Sequence, residues 1–546
     1  MAADIHDKRG RRVKSIGIDF GTSTTLVATD QGGGLAEIVP VGRTGRWLPS
    51  VVGFDAHGDL IAGEDAEELP RAAIARSVKL ALTRGESKVT TASGSVIAVE
   101  DAVRSLLRTA MERSLESGTD VATSRKVQLG CPAMWSADQR QLLVSLAREC
   151  GINADISHVV DEPIAAGVAW IEEVLIASGK RVDTKVLVFD PGGGTLDVAV
   201  IRARISQGSE PEITVLGAGG IAESGDALDR AIAEDLRQNE GLSGLVASDP
   251  VAFDLLVDRS CEVKELLSTA GKARRPLGGG YSQVVDYQRS RLDQAFAPQL
   301  SRAKGLVMSV VRSAKLREEL SLTTTDLRQL DWDLVADEID AVVLVGGMSQ
   351  VPRVKAWMTE LFPKAHLNLV QNPQHAVVRG LALADRYERL NLHRPAFDFR
   401  LRFFDADNRA VGEPITLYRA FSPLYEWWHV FQKAKNLGFQ PDAVPVPRGV
   451  STAALQCVTV DDEVLPLALG DEELSGLPVV VYPDQKVKFK LYVDGRIAFG
   501  ANTDYVVRVQ SWPTLRGGDH DRRILLTSPP GATPPSIQLD EWRFIH

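Results

Sequence analysis

Twice along the chain an apolar run ends in an aspartate followed by a glycine and threonine turn. The first is Ile16-Gly17-Ile18-Asp19-Phe20-Gly21-Thr22 and the second is Phe189-Asp190-Pro191-Gly192-Gly193-Gly194-Thr195. Each reads as a buried strand that delivers a carboxylate to a turn with no Cβ in the way, so that backbone N–H groups can close on phosphate oxygens. Thr22, Ser23 and Thr195 add hydroxyl donors. Two aspartates at strand ends suit a hydrated Mg2+, which takes oxygen ligands and keeps its waters. Either stretch alone also reads as an ordinary tight turn. Two of one build, with a third glycine turn at Gly346-Gly347 after the apolar run 341–345, point to a single phosphate site.

The rest of the chain is organised around these turns. From Val13 to about Leu390, strand-like and helix-like runs alternate, which predicts an α/β architecture. Ser136 and Gln139 have the spacing of a reciprocal helix cap, ahead of an apolar stripe at Leu142, Leu143, Leu146, Ala147 and Cys150. Pro163 and Pro352 stand where a helix begins. After Leu390 the runs become short and β-rich, with Asp494-Gly495 suited to a type I′ hairpin turn. The expected layout is a tail at 1–12, an α/β region at 13–390 in two parts of about 13–185 and 186–390, a linker at 391–397 and a mostly β domain at 398–546. One helix around 424–437 and an irregular stretch at 528–535 are expected inside that last domain.

Composition excludes several classes. Of 546 residues, 62 are Lys or Arg and 72 are Asp or Glu, a balance of −10. A chain of that sign does not grip nucleic acid or an anionic membrane through its overall field. Four cysteines without a CxxC pair argue against a disulfide scaffold or a zinc site. With no apolar leader among the first residues and no membrane-length apolar run, a cytoplasmic protein is expected. There is no GxxxxGK[ST] and no HExxH. Gly217 to Ala222 reads as a plain strand-to-turn connection, Lys272, Arg274 and Arg275 as a solvated hairpin, and Trp427-Trp428 as buried packing.

The order of motifs resembles the nucleotide-binding domain of Hsp70-type chaperones, within the actin/hexokinase/Hsp70 superfamily. GIDFGTSTT and VFDPGGGTLDVAV are similar to its two phosphate loops, and AVVLVGGMSQVPRV to its adenosine motif. WLPSVVGF with IAGEDAEE, CPAMWSADQR, VVDEPIAAGVAW and NPQHAVVRGLALA complete the series. The resemblance implies two lobes, each on a core sheet, with ATP or ADP and Mg2+ between them. It implies Asp19 and Asp190 in the magnesium shell, Lys79 and Glu162 beside the γ-phosphate, Thr195 as a γ-phosphate hydroxyl and Asp197 as a neighbouring carboxylate. Gly21, Thr22, Ser23, Gly192, Gly193, Gly194, Lys264, Ser268, Gly346 and Gly347 would complete the nucleotide site. Pro132 and Arg140 match residues that couple this site to the substrate domain in the family.

The chain also departs from the family pattern. On the adenosine helix CEVKELLS keeps Lys264 and Ser268, but Cys261 stands for the acid and Glu265 for the arginine. Gln350 replaces a second arginine, and Asn372-Pro373-Gln374 lacks the usual aspartate. Phosphate handling is therefore expected to be retained and the purine grip altered. The expected function is a slow Mg-dependent ATPase whose nucleotide state governs binding of a polypeptide client, with co-chaperones as further partners. The alternative is a nucleotide-gated scaffold or sensor that binds one dedicated protein partner with little hydrolysis. The β domain is expected to lack a helical lid, since four prolines stand in 528–535. It would act either as an open peptide-binding module or as a rigid docking module.

Overall fold

The computed structural model describes residues 15–32, 34–124, 126–155, 158–206, 211–239, 242, 244, 250–318, 331–387, 390, 395, 397–420, 422, 424, 438–458, 463–469, 472–482, 484–492, 496–501, 505–511 and 524–527. The expected tail, most of the expected linker, the Trp427-Trp428 pair, the turn at Asp494-Gly495 and the stretch 528–535 lie outside these residues. The described residues fall into two compact units, one drawn from Met1–Met134, Asp138–Val311 and Trp332–Tyr387, the other from Trp135–Ala137, Arg312–Asp331 and Glu388–His546.

The first unit is α/β and uses one sheet plan twice. Strands Ser15–Phe20, Thr24–Asp30 and Glu37–Val39 run as an antiparallel meander. Val127–Cys131 and then Val159–Asp161 add in parallel on the far side of Ser15–Phe20. In the second sheet Val182–Pro191, Leu196–Ile205 and Glu212–Ile221 form the meander, and Ala341–Leu344 and His366–Leu369 add in parallel. The central strand SIGIDF is buried along its whole length, as expected where both faces of a sheet are covered.

Two helices lie back to back between the sheets. Helix Glu162–Trp170 is buried at all nine positions and packs on strands 182–191 and 196–205. Helix Ala376–Leu383 packs on strands 15–20 and 24–30, and the two helices pack on each other. Small residues make this possible: a Cβ on Gly380 would overlap the backbone of Ala165. Beyond Trp170 the chain continues as a π-helical turn, Ile171–Ile176. Its Glu172 accepts from Arg386 at 2.8 Å and from the Tyr387 hydroxyl at 2.8 Å, and Arg386 also holds Asp30 at 2.8 Å. That network ties the end of the first unit to the π-helical turn after Trp170 and to strand Thr24–Asp30.

The second unit is mostly β. Asp398–Phe404, Ile415–Tyr418 and Thr452–Val458 belong to one sheet; Lys486–Tyr492, Arg496–Gly500, Tyr505–Ser511 and Ile524–Thr527 belong to another. Phe399, Leu401, Phe403, Leu455 and Cys457 share one core with Val487, Phe489, Leu491, Ile497 and Phe499, so the two sheets pack face to face. Val487, Phe489 and Leu491 are buried while Lys486 and Lys488 are exposed and Lys490 is half-buried, the alternation of a strand with one covered face.

The helix crossing yields a stability prediction. Gly380→Ala should lower the unfolding free energy of the first unit by about 2 kcal/mol or more, because overpacked backbone contacts must separate. Gly271→Ala, where an added Cβ meets nothing within 4 Å, should change it by less than about 0.5 kcal/mol. Urea unfolding followed by tryptophan fluorescence compares the two.

Candidate functional site

The two aspartate and glycine motifs close in the same way. Gly21 N–H donates to the Thr24 carbonyl at 3.0 Å, and Gly192 N–H donates to the Thr195 carbonyl at 2.9 Å. The flanking pairs are Phe20 with Thr25 and Pro191 with Leu196, so each hairpin carries a four-residue loop of matching register. The loops abut. A Cβ on Gly193 would sit 2.7 Å from Ser23 Oγ, and one on Gly194 would sit 2.8 Å from Thr22 Oγ1. Glycine serves here for space rather than for an unusual φ. The third turn differs: Gly346 has φ 71°, a conformation that favours glycine, and a Cβ there would run into the Asp190 carboxylate. Gly347 beside it faces open space. The first turn therefore meets the second, and the third meets Asp190 at the start of the second.

Charge gathers at the same place. Lys79, on the short helix Val78–Thr83, is 2% exposed. Its ammonium donates to Glu162 Oε1 and lies 4.0 Å from Asp19 Oδ1. Asp197 accepts from the Ala133 N–H at 2.7 Å and from Thr195. Burial pushes Asp19 up to about 7, with Lys79 opposing and Glu162 adding to the rise. Asp197 rises to about 7 through burial and then Glu162, and Asp190 rises through burial and its three carboxylate neighbours. Asp19, Glu162, Asp190 and Asp197 thus surround one lysine, a donor set with surplus negative charge. Hard oxygen donors in excess fit a divalent cation such as Mg2+. Among the described residues no three His, Cys, Asp or Glu side chains are grouped closely enough to ligate a metal. A hydrated ion reached through its waters suits this arrangement better than a cage of protein ligands.

A family model described as Hsp70 protein matches residues 88–386, more than half of the chain. The chain belongs to the Hsp70 family. It is 30% identical over 410 residues to a chaperone protein HscA homolog of Acidithiobacillus ferrooxidans, covering 70% of this chain and 59% of that protein. It is 28% identical over 381 residues to the chaperone protein DnaK of Thermotoga petrophila, covering 67% and 58%. This Hsp70-family chain spans a little under two thirds of the length of these relatives.

The remaining predicted residues are held by partners that sequence reasoning did not single out. Arg140, 1% exposed, donates to the fully buried Asp161, which ends its strand directly before Glu162. This pair fixes the strand-to-helix junction that aims Glu162 at Lys79. Pro132 is buried between Cys131 and Ala133, whose N–H holds Asp197. Lys264 donates to Asp229 at 2.8 Å, and Ser268 Oγ donates to the Lys264 carbonyl at 3.3 Å. Asp226 connects this region to the second loop: its N–H donates to the Gly193 carbonyl at 2.7 Å and its carboxylate accepts from Ser77. The acid pair Asp226 and Asp229, three apart on one helix face, was the available signal.

Arg140→Met should therefore destabilise the nucleotide-free first unit by about 3 kcal/mol, because it leaves a buried carboxylate without its cation. Lys126→Met, which breaks a pair with Asp385 whose lysine is half exposed, should cost under about 1 kcal/mol. Denaturant midpoints of the two variants give the comparison.

Proposed function

We propose that the first unit binds ATP with Mg2+ and hydrolyses it slowly to ADP, and that nucleotide state governs binding of a polypeptide by the β domain. The observation that carries this is the convergence of two matching hairpin loops on a buried lysine ringed by carboxylates. Backbone N–H groups and the hydroxyls of Thr22, Ser23 and Thr195 would take phosphate oxygens. Lys79 supplies positive charge where negative charge spreads in phosphoryl transfer, and Glu162 and Asp190 orient the attacking water. Asp19 and Asp190 are the carboxylates that would hold the hydrated Mg2+, which neutralises phosphate charge when bound. Membership of the Hsp70 family and similarity to proteins named DnaK and HscA support a chaperone reading, with a polypeptide client and co-chaperones in the cytoplasm. Among the described residues no helix is long and apolar enough to cross a membrane.

A second reading is a nucleotide-gated scaffold for one dedicated protein partner with little hydrolysis. It is favoured by the pairing of Lys264 with Asp229 and by Glu265 and Gln350 at the positions expected to grip adenosine. Unfolded peptides that stimulate hydrolysis support the chaperone reading; one tight partner without a peptide effect supports the scaffold.

Lys79→Ala, Glu162→Gln and Asp190→Asn should each slow single-turnover hydrolysis by at least about tenfold, as loss of a positioned catalytic group does. Phosphate release with and without Mg2+ is the assay. Wild-type protein without Mg2+-dependent turnover would remove the enzymatic part of the proposal.

A further inference from the structure

The helix that carries Lys79 is short, and the residue before it holds an uncommon backbone conformation. Ser77 has φ 57° and ψ 33°, in the left-handed region, and its carbonyl opens the helix by accepting from the Ala81 N–H at 3.1 Å. Asn372, Asn408 and Asp484 are the other non-glycine residues with positive φ among the described ones. Asn and Asp adopt this conformation more readily than serine, so Ser77 carries a backbone cost that its surroundings must offset. One contact meets it: the Ser77 hydroxyl donates to the Asp226 carboxylate on helix Gly225–Asn239. That helix starts against the second glycine loop, where Gly225 N–H donates to the Gly192 carbonyl at 3.2 Å and Asp226 N–H to that of Gly193 at 2.7 Å. Asp226 therefore grips the loop with its backbone and the approach to Lys79 with its side chain. Burial raises the Asp226 carboxyl, and the Ser77 hydrogen bond opposes that rise. At the other end of helix Val78–Thr83, Gln139 Nε2 donates to the Leu82 and Thr83 carbonyls at 3.2 and 2.9 Å. Six residues are too few for a helix to hold by itself, so these ties set where Lys79 lies.

We propose that Ser77 and Asp226 are positioning residues for phosphoryl transfer: Asp226 keeps Ser77 left-handed, and that turn feeds Lys79 into the carboxylate cluster beside the second glycine loop. This rests on the reading of the first unit as a hydrolase of nucleoside triphosphates in which Lys79 acts on phosphate. The pair itself touches no reacting atom. The glycine loops hold the phosphates in the ground state, while a lysine counts most where charge develops. The pair therefore governs the rate of the chemical step more than the affinity.

Single-turnover hydrolysis and ATP titration calorimetry on the full chain in Mg2+ test this, with variants that separate the hydrogen bond from the backbone conformation. Ser77→Ala loses the hydroxyl and keeps a Cβ. Asp226→Ala loses the acceptor and keeps the N–H that holds Gly193. Each should slow hydrolysis by about tenfold, the order that one left-handed non-glycine residue costs, and shift ATP affinity by less than about threefold. Ser77→Gly takes the same backbone conformation without the tie, so its rate should stay within about threefold of wild type. Adding Ser77→Gly to Asp226→Ala should restore most of the rate lost by Asp226→Ala alone, a rescue that loss of a direct contact between Asp226 and the ligand would not allow. Ser77→Gly as slow as Ser77→Ala would overturn the proposal, and so would a folded Asp226→Ala protein with wild-type turnover. If the Asp226 variant does not fold, the two Ser77 variants, which change one half-buried side chain, decide the matter alone. Wild-type protein without Mg2+-dependent turnover ends the hydrolysis reading and this inference with it. Turnover with the wrong order among the variants ends only this inference.

Discussion

Gly380 lies on the backbone of Ala165, and the packing of the first unit is arranged from that contact outward. A helix is normally kept 8–10 Å from its neighbour by side chains. Here alanines and glycines let two helices meet closely while each keeps its other face on a sheet. Glu162 begins one of these helices, and Asp161 just before it receives Arg140. The same crossing that joins the two sheets therefore also positions the carboxylate that meets Lys79.

Electrostatics then sets the character of the site. Burying several carboxylates around one lysine is unfavourable in isolation, and burial pushes Asp19, Asp190 and Asp197 upward. Such a cluster is stabilised by whatever brings compensating positive charge, so a cation bound there would also stabilise the fold. The Arg140–Asp161 and Lys264–Asp229 pairs are different: each buries one cation with one anion. These pairs carry less uncompensated charge than the cluster and act as fixed points beside it.

The β unit depends on other forces. Phe399 and Phe489 meet with ring centroids 5.4 Å apart, and the core between the sheets is built from alternating apolar residues of both. Among the described residues of that core none is charged, so its folding follows apolar burial and strand register.

The elements legible in the sequence were those written in contiguous residues. The Asp-Gly-Thr loops, the α/β alternation, Pro163 at a helix start and the alternation of Val487, Phe489 and Leu491 all depend on neighbours within a few positions, where backbone geometry dictates spacing. The resemblance to the Hsp70 family rests on the same contiguous motifs. What required the tertiary structure was partnership across long separations: Lys79 with Glu162, Ser77 with Asp226, Arg386 with Asp30, Lys264 with Asp229 and Gly380 with Ala165. A buried charge can be satisfied by any opposite charge the fold brings within reach. Its own neighbours in the chain do not say which one, and only the packing of the two sheets on the crossed helices decides it.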